Sequence, residues 1–378
     1  MERAVNFGIH FLKLSNELTS TVWKGFSTMG SSKLPRLVKK IGTHNGMFHC
    51  DEALACFMLK QLPEYADAEI VRTRDPKILD TCDIVVDVGA EYDPKRNRFD
   101  HHQKSFQETL HTIRPELTKN KFNNIRLSSA GLVYAHFGLE ILSEILAQSK
   151  LCKKLADSEC LKNLFLYIYE GFVEELDAID NGVPMYPEGK PRYKINTHLS
   201  ARVHRLNPAW NSLNEDTDQL FEKAVALVGS EFKEHVIDGI SVWWPAREIV
   251  KKSIENRKSV YKTGEIMLLV DRCSWKDHLH ILEEEMNISG EIKFCVFHDK
   301  TSDTWRIQGI PIQPDSFICR VFLHKNWLGV RDEELSTVAG IENCIFCHST
   351  GFIGGNKTKE GALQMAIQSL NAASVDRE

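Results

Sequence analysis

Residues 44 to 51 read His-Asn-Gly-Met-Phe-His-Cys-Asp, and further along the chain stands Phe99-Asp100-His101-His102, with the apolar run Ile84-Val85-Val86 ending in Asp87 between them. These are three clusters of imidazoles and carboxylates with no evident thiolate requirement. Such a donor set suits Mn²⁺ or Mg²⁺ ahead of a structural zinc, with zinc and Fe²⁺ left open. Asp87 is the lone acid at the end of its apolar segment, where an unpaired buried charge is costly. That makes it the natural bridge between two ions. A single His or Asp after a strand is more often a cap or a solvated residue, and Asp51 is itself an N-cap candidate. The conjunction of the three clusters is what points to a metal centre.

Convergence requires elements that bring the clusters to one edge. Val38–Ile41, Ala68–Thr73 and Ile84–Val88 read as short strands, and Asp51–Gln61 as a helix with Leu54, Ala55, Met58 and Leu59 on one face. The unalternating β-branched run Ile84–Val86 fits a strand covered on both faces. The expected fold is therefore α/β, mainly a parallel sheet with helices on both faces, in which ligands bind beyond the carboxyl ends of the strands. Ser128 and Ser129 can cap a helix carrying Val133, Phe137, Ile141 and Ile145, and Leu161–Ile179 continues helical.

Beyond this the chain changes character. Residues 187–215 read as a basic connecting loop containing Arg202 and Arg205, a possible anion clamp or simply a solvated basic loop. Thr217 to about Val260 reads as helical, broken near Pro245. Strand candidates at Glu265–Val270, Ile292–His298, Trp305–Ile310 and Cys344–Cys347, then an amphipathic helix Lys359–Leu370, predict a smaller closing α/β domain. Gly351, Gly354 and Gly355 followed by Asn356, Lys357 and Thr358 read as a loop whose N–H groups and cation can face an anion, or as an ordinary glycine turn.

With 378 residues, more than one domain is expected. Charged residues interrupt every hydrophobic stretch before the roughly 20 apolar residues of a membrane span, so a soluble protein with no membrane partner is expected. Ten cysteines without paired spacing fit a reducing compartment. The 47 Lys and Arg against 52 Asp and Glu leave no global positive field to attract nucleic acid. Residues 1–36 are basic and Ser/Thr-rich, which fits a transit peptide or a disordered tail and not a secretory signal. Cys344-Ile-Phe-Cys347-His348 matches the pattern of haem attachment, but no haem is expected without a secretory leader.

The strings GTHNGMFHCDEALAC, EIVRTRDP, CDIVVDVG, FDHHQKSF, LSSAGLVY, DAIDNG, RLNPAWN and GFIGGNKTKEGAL, in that order, resemble the melanocyte-proliferating-gene (MYG-type) exonuclease family within the DHH phosphoesterase superfamily. The resemblance implies a DHH-type catalytic domain over 37–210, a helical connector over 211–262 and a DHH-associated-like substrate-binding domain over 263–378. It implies two divalent ions, one on His44, His49 and Asp87, the other on Asp51, Asp87, His101 and an acid near residue 180. Asp180 is taken for that place and Asp177 is the alternative. Asp100 is expected to orient a histidine, His102 to contact a substrate phosphate, and His348, Gly354, Gly355, Asn356 and Lys357 to grip substrate. His49 stands where many relatives have Asp, which removes a negative charge.

The implied activity is a 3′-to-5′ RNA exonuclease, with hydroxide attack on phosphorus assisted by two ions, acting on RNA or short oligonucleotides in organellar and nuclear RNA processing. Location is expected to be mitochondrial and nuclear, not secreted. Two other readings stand beside it: hydrolysis of a small phosphoanhydride or nucleotide such as pyrophosphate, and a non-catalytic RNA-binding scaffold.

Overall fold

Ile84, Val85 and Val86 lack polar alternation because both faces of their strand are buried. Ile84 and Val86 enter the large core, while Val85 joins a small cluster with Leu79, Cys82 and Val88 on the other face. The computed structural model of the chain describes residues 38–119, 121–149, 158–186, 193–212, 215–314 and 316–375. The basic leader, and with it the transit-peptide reading, lies outside these residues.

The first sheet comprises β1 (Lys40–Thr43), β2 (Glu69–Arg72), β3 (Ile84–Val86), β4 (Tyr92–Asp93) and β5 (Arg98–Phe99), in the order β2-β1-β3-β5-β4. All neighbours are parallel except the edge strand β4, which runs antiparallel to β5. The carboxyl ends of β1, β3 and β5 therefore stand side by side, and the three ligand clusters follow them directly. β4 and β5 have two residues each, too few for any periodicity to reveal in the sequence.

Coverage of this sheet is unequal. One face carries the helices Cys50–Leu59 and Ser129–Gln148, with the main core; the cluster on the other face includes Leu79 of the short helix Pro76–Leu79. The Ser129–Gln148 helix is long and apolar enough to cross a membrane by length and composition alone, but 61% of that window is buried inside the molecule. Ser128 caps it as expected, its hydroxyl accepting from Gly131 N–H.

The stretch read as a connector divides between cores. The helix Thr217–Asp238 buries Phe221, Val228 and Phe232 in the first core, whereas the helix Trp244–Glu255 gives Val250 and Ile254 to a cluster with Leu269, Leu279 and Phe297. Between them lies a π turn, Gly239–Trp243. Pro245 brings no N–H, and the helical ladder changes register just before that missing donor.

The two helices Cys50–Leu59 and Thr217–Asp238 cross at Gly229, where a Cβ would stand 2.1 Å from the Phe57 ring. Gly229→Ala is expected to destabilise the fold by about 1–3 kcal/mol through overpacking, despite the better helix propensity of alanine. Equilibrium urea unfolding checks it, and an unchanged midpoint would show that the ring simply rotates away.

The second sheet contains β6 (Ile266–Leu269), β7 (Phe294–Asp299), β8 (Thr304–Gly309), β9 (Cys344–Cys347) and β10 (Ile353–Asn356), in the order β6-β7-β8-β10-β9. Only β6 and β7 are parallel. Its core includes Phe294, Val296, Ile307, Trp327 and Met365. The nine described cysteines are free, and the thiols of Cys344 and Cys347 are buried in this core.

Candidate metal centre

His44 follows β1, Asp87 follows β3, and Asp100, His101 and His102 follow β5, so strand order alone delivers three loops to one place. Asp87 is held in the left-handed region, with φ 59°. That conformation is uncommon for a side chain other than Gly, Asn or Asp, and it turns the chain sharply at the strand end. His44 Nε2 lies 3.3 Å from Asp87 Oδ2, and His101 Nε2 lies 3.3 Å from Asp87 Oδ1. Asp87 thus stands between the two histidines. Ser129 adds a third contact, its hydroxyl donating to Asp87 Oδ1 at 3.1 Å.

The Cys50–Leu59 helix supplies the next wall. Its N-cap is His49, so Asp51 is not the cap; it lies in the first turn, 1% exposed, with neither carboxylate oxygen hydrogen-bonded among the described residues. Glu52 accepts His49 N–H at 2.8 Å and also stands 3.0 Å from His44 Nε2. Asp180, the last residue of the helix Glu174–Asp180, reaches His101 Nε2 at 3.1 Å. Three sets of potential ligand atoms result, each within 4.8 Å of one another: His44, His49, Glu52 and Asp87; Asp87, His101 and His102; His49, Asp51 and Asp180.

The alternative acid points elsewhere. Asp177 accepts from Ser128 N–H (2.9 Å), Ser128 Oγ (2.7 Å) and Tyr169 Oη (3.0 Å), and it is fully buried. Asp100 orients His102, whose Nδ1 lies 2.7 Å from Asp100 Oδ1, while Ala90 N–H donates to the other oxygen at 2.6 Å. His102 itself is 61% exposed at its side chain and faces the cleft.

The arrangement fits a divalent cation. Burial, together with the charges of Asp87 and Asp180, pushes the Asp51 carboxyl well above its ordinary range. Burial opposes the charged form of His44, but the carboxylates of Asp87 and Glu52 overcome it and push the imidazole up to about 10. His101 is likewise disfavoured by burial and carried up to about 10 by Asp180 and Asp87. Protons thus compensate the carboxylates in the metal-free protein, and an ion would displace them.

The sign of the pH effect follows. Both histidines have folded-state values above the ordinary 6.5, so their stabilisation of the metal-free protein is complete below about pH 6.5 and is lost as pH rises toward 10. Metal uptake must release those protons and should strengthen over the same interval. The increase in melting temperature caused by Mn²⁺ is therefore expected to widen between pH 6.5 and 9, with proton release seen by calorimetry in buffers of different ionisation enthalpy. A Mn²⁺ effect independent of pH would contradict this assignment.

A cleft of about 890 Å³ opens over the centre, lined by His49, Asp51, His101, His102, Asp180 and Arg205 among others. Arg202 is absent from its lining; it pairs with Glu231 and lines a second depression. The expected basic loop holds a short helix, Leu199–His204, which points Arg202 and Arg205 to different places.

The glycine string requires correction. Gly354, Gly355 and Asn356 are not a loop but most of β10, between β8 and β9 in the second sheet, so their backbone groups serve the ladder. Asn356 is fully buried, its Oδ1 accepting from Thr358 N–H at 2.8 Å. His348 and Lys357 are exposed, and none of these five residues lines the cleft.

Glu52 and Ser129 were not singled out in the sequence. Glu52 carries a signal, an acid three residues after the N-cap, and Ser129 reads only as a cap. Both turn out to contact the centre.

Comparison with known proteins gives one concordant result. A family model described as "Uncharacterised protein family (UPF0160)", MYG1_exonuc, matches residues 40–370. The chain is 49% identical over 332 residues to the MYG1 exonuclease of Homo sapiens, covering 88% of this chain and 85% of the relative. It is 48% identical over 332 residues to that of Bos taurus, covering 88% and 84%. It is 45% identical over 334 residues to a MYG1 protein of Dictyostelium discoideum, covering 88% and 96%. No solved structure matches.

Proposed function

Since the chain belongs to the MYG1 exonuclease family, we propose that it is a divalent-metal-dependent phosphodiesterase, a 3′-to-5′ exonuclease of RNA or short oligonucleotides, with the first sheet serving as a DHH-type catalytic domain. The observation that carries this reading is the buried Asp51 carboxyl, without a hydrogen-bond partner among the described residues and close to the charges of Asp87 and Asp180, beside a cleft of about 890 Å³.

His44, His49, Glu52 and Asp87 offer one set of ligands, and Asp51, Asp87, His101 and Asp180 the other, with Asp87 common to both. Mn²⁺ or Mg²⁺ bound there supplies Lewis acidity toward phosphoryl oxygens and lowers the pKa of water. The chain's own residues do the rest. Asp100 fixes the tautomer and direction of His102, which projects into the cleft and donates to a phosphate oxygen. Ser129 and the strand ends hold Asp87 so that its two oxygens face different histidines.

The test is a comparison of 5′-labelled oligoribonucleotides, the matching oligodeoxynucleotides and pyrophosphate, each with Mn²⁺ and with Mg²⁺. Stepwise shortening of the RNA from its 3′ end is expected. Phosphate release from pyrophosphate with intact oligonucleotides would overturn the nuclease reading in favour of a phosphoanhydride hydrolase. The proposal extends to RNA processing in mitochondria and nucleus, which fluorescent fusions with and without residues 1–36 address.

A further inference from the structure

Three strongly basic side chains line the cleft: Lys104, Arg126 and Arg205. They are not equivalent. Lys104 is exposed, a flexible solvated charge, and Arg205 is exposed with Nη1 donating to the Asn196 carbonyl at 2.6 Å. Arg126 is half-buried, and its backbone is fixed: it bridges Thr109, its carbonyl accepts from Asn181 Nδ2 at 2.9 Å, and the next residue, Leu127, donates to the Glu108 carbonyl at 2.9 Å.

Its guanidinium, however, has no carboxylate or hydrogen-bond partner among the described residues. Other arginines withdrawn from solvent do: Arg72 with Asp218 at 2.9 Å, Arg247 with Glu159 at 2.9 Å, Arg320 with Glu283 at 2.7 Å. A guanidinium held at the cleft wall with no anion beside it is free to take one, and its planar fork matches the paired oxygens of a phosphate.

We propose that Arg126 is the phosphate-gripping residue of this site, its guanidinium taking the non-bridging oxygens of a phosphodiester in the bound strand. The inference rests on the nuclease reading above and adds a residue to it. Asn181 links the two functions mechanically. It follows Asp180 directly, and its amide holds both the Arg126 carbonyl and the Asp177 carbonyl at 2.9 Å, so the backbone that carries the phosphate grip is tied to the helix end that carries Asp180. Neither Arg202 nor Arg205 has that coupling.

The experiment uses the full chain loaded with Mn²⁺, comparing the unsubstituted protein with Arg126→Ala and Arg126→Lys. Cleavage of a 5′-labelled oligoribonucleotide gives KM and kcat, binding of the same strand across NaCl concentrations gives the salt slope, and Mn²⁺ isotherms report on the centre. Arg126→Ala should raise KM by roughly ten- to a hundredfold, the loss of a charged hydrogen-bonded pair. It should also reduce the magnitude of the log–log salt slope by about 0.7, the release of one single-strand counterion contact. Arg126→Lys should restore the slope and only part of KM. The Mn²⁺ isotherm should not move.

Unchanged KM and salt slope in Arg126→Ala would overturn the proposal while leaving the nuclease reading intact. A parallel loss of Mn²⁺ binding would also overturn it, because Arg126 would then be a structural support of the centre. If the unsubstituted protein neither binds nor shortens the strand, the nuclease reading and this inference fall together.

Discussion

Asp87→Asn is expected to remove metal-dependent turnover by roughly a thousandfold or more, the equivalent of about 4 kcal/mol of transition-state stabilisation, while leaving the fold in place. The size of the effect comes from position. Among the described residues, Asp87 is the carboxylate within reach of both His44 and His101, so neutralising it weakens both ligand sets at once. The fold should survive for a conformational reason: the left-handed backbone, φ 59°, suits asparagine nearly as well as aspartate, and the amide oxygen still accepts from Ser129 Oγ. Asp87→Ala is a poorer test because alanine carries the strain of that conformation. His44 and His101 would also lose a carboxylate that raises them, so their titration should move down in Asp87→Asn. Circular dichroism without metal establishes folding, and Mn²⁺ isotherms with the oligonucleotide assay establish function. An Asp87→Asn protein that folds, turns over and binds Mn²⁺ normally would remove Asp87 and the centre built on it from the mechanism.

Part of this site was legible in the sequence because strand ends are legible. An apolar β-branched run ending in a lone acid, Ile84-Val85-Val86-Asp87, states both that a strand is buried and that its terminal charge needs a partner. Asp100 and His101 were equally visible as a motif, although the two-residue β5 that positions them was not. Contacts set by tertiary packing left weaker traces. Glu52 serves both the His49 backbone and the His44 ring, and only the first has a sequence signature. Arg126 stands out only when its missing partner can be seen. The glycine string misled for the reverse reason: Gly354 and Gly355 look like a loop, but in β10 they permit close approach of Phe346 and Arg306, which a Cβ at Gly355 would meet at 3.0 and 2.9 Å. Glycine composition reports close approach, and the approaching group here is a neighbouring strand's side chain.

Asp177 and Asp180 shared the same short string, and the structure gives them opposite expectations. Asp177→Ala should cost on the order of 3–5 kcal/mol of stability, since it strands three buried donors, Ser128 N–H, Ser128 Oγ and Tyr169 Oη, at about 1–3 kcal/mol each before relaxation. The Ser129–Gln148 helix is built around this carboxylate: a Cβ at Gly131 would lie 2.3 Å from Asp177 Oδ1. Burial raises Asp177 to about 7, even with the lowering effect of its hydrogen bonds, against an ordinary carboxyl value near 4. A folded-state value above the unfolded one means stability that is complete below about pH 4 and is lost as pH rises through 7. Asp177→Asn should therefore flatten the pH dependence of unfolding across that interval. Asp180 has a side chain 20% exposed and reaches His101, so Asp180→Asn should barely move the melting temperature while lowering turnover by roughly a hundredfold or more and weakening Mn²⁺ binding. The two substitutions thus separate support from ligation in one pair of measurements, thermal unfolding and Mn²⁺ titration. If Asp177→Asn keeps its stability and loses metal while Asp180→Asn does the reverse, Asp177 is the ligand, and the helix Glu174–Asp180 must turn its other acid into the cleft when the ion binds.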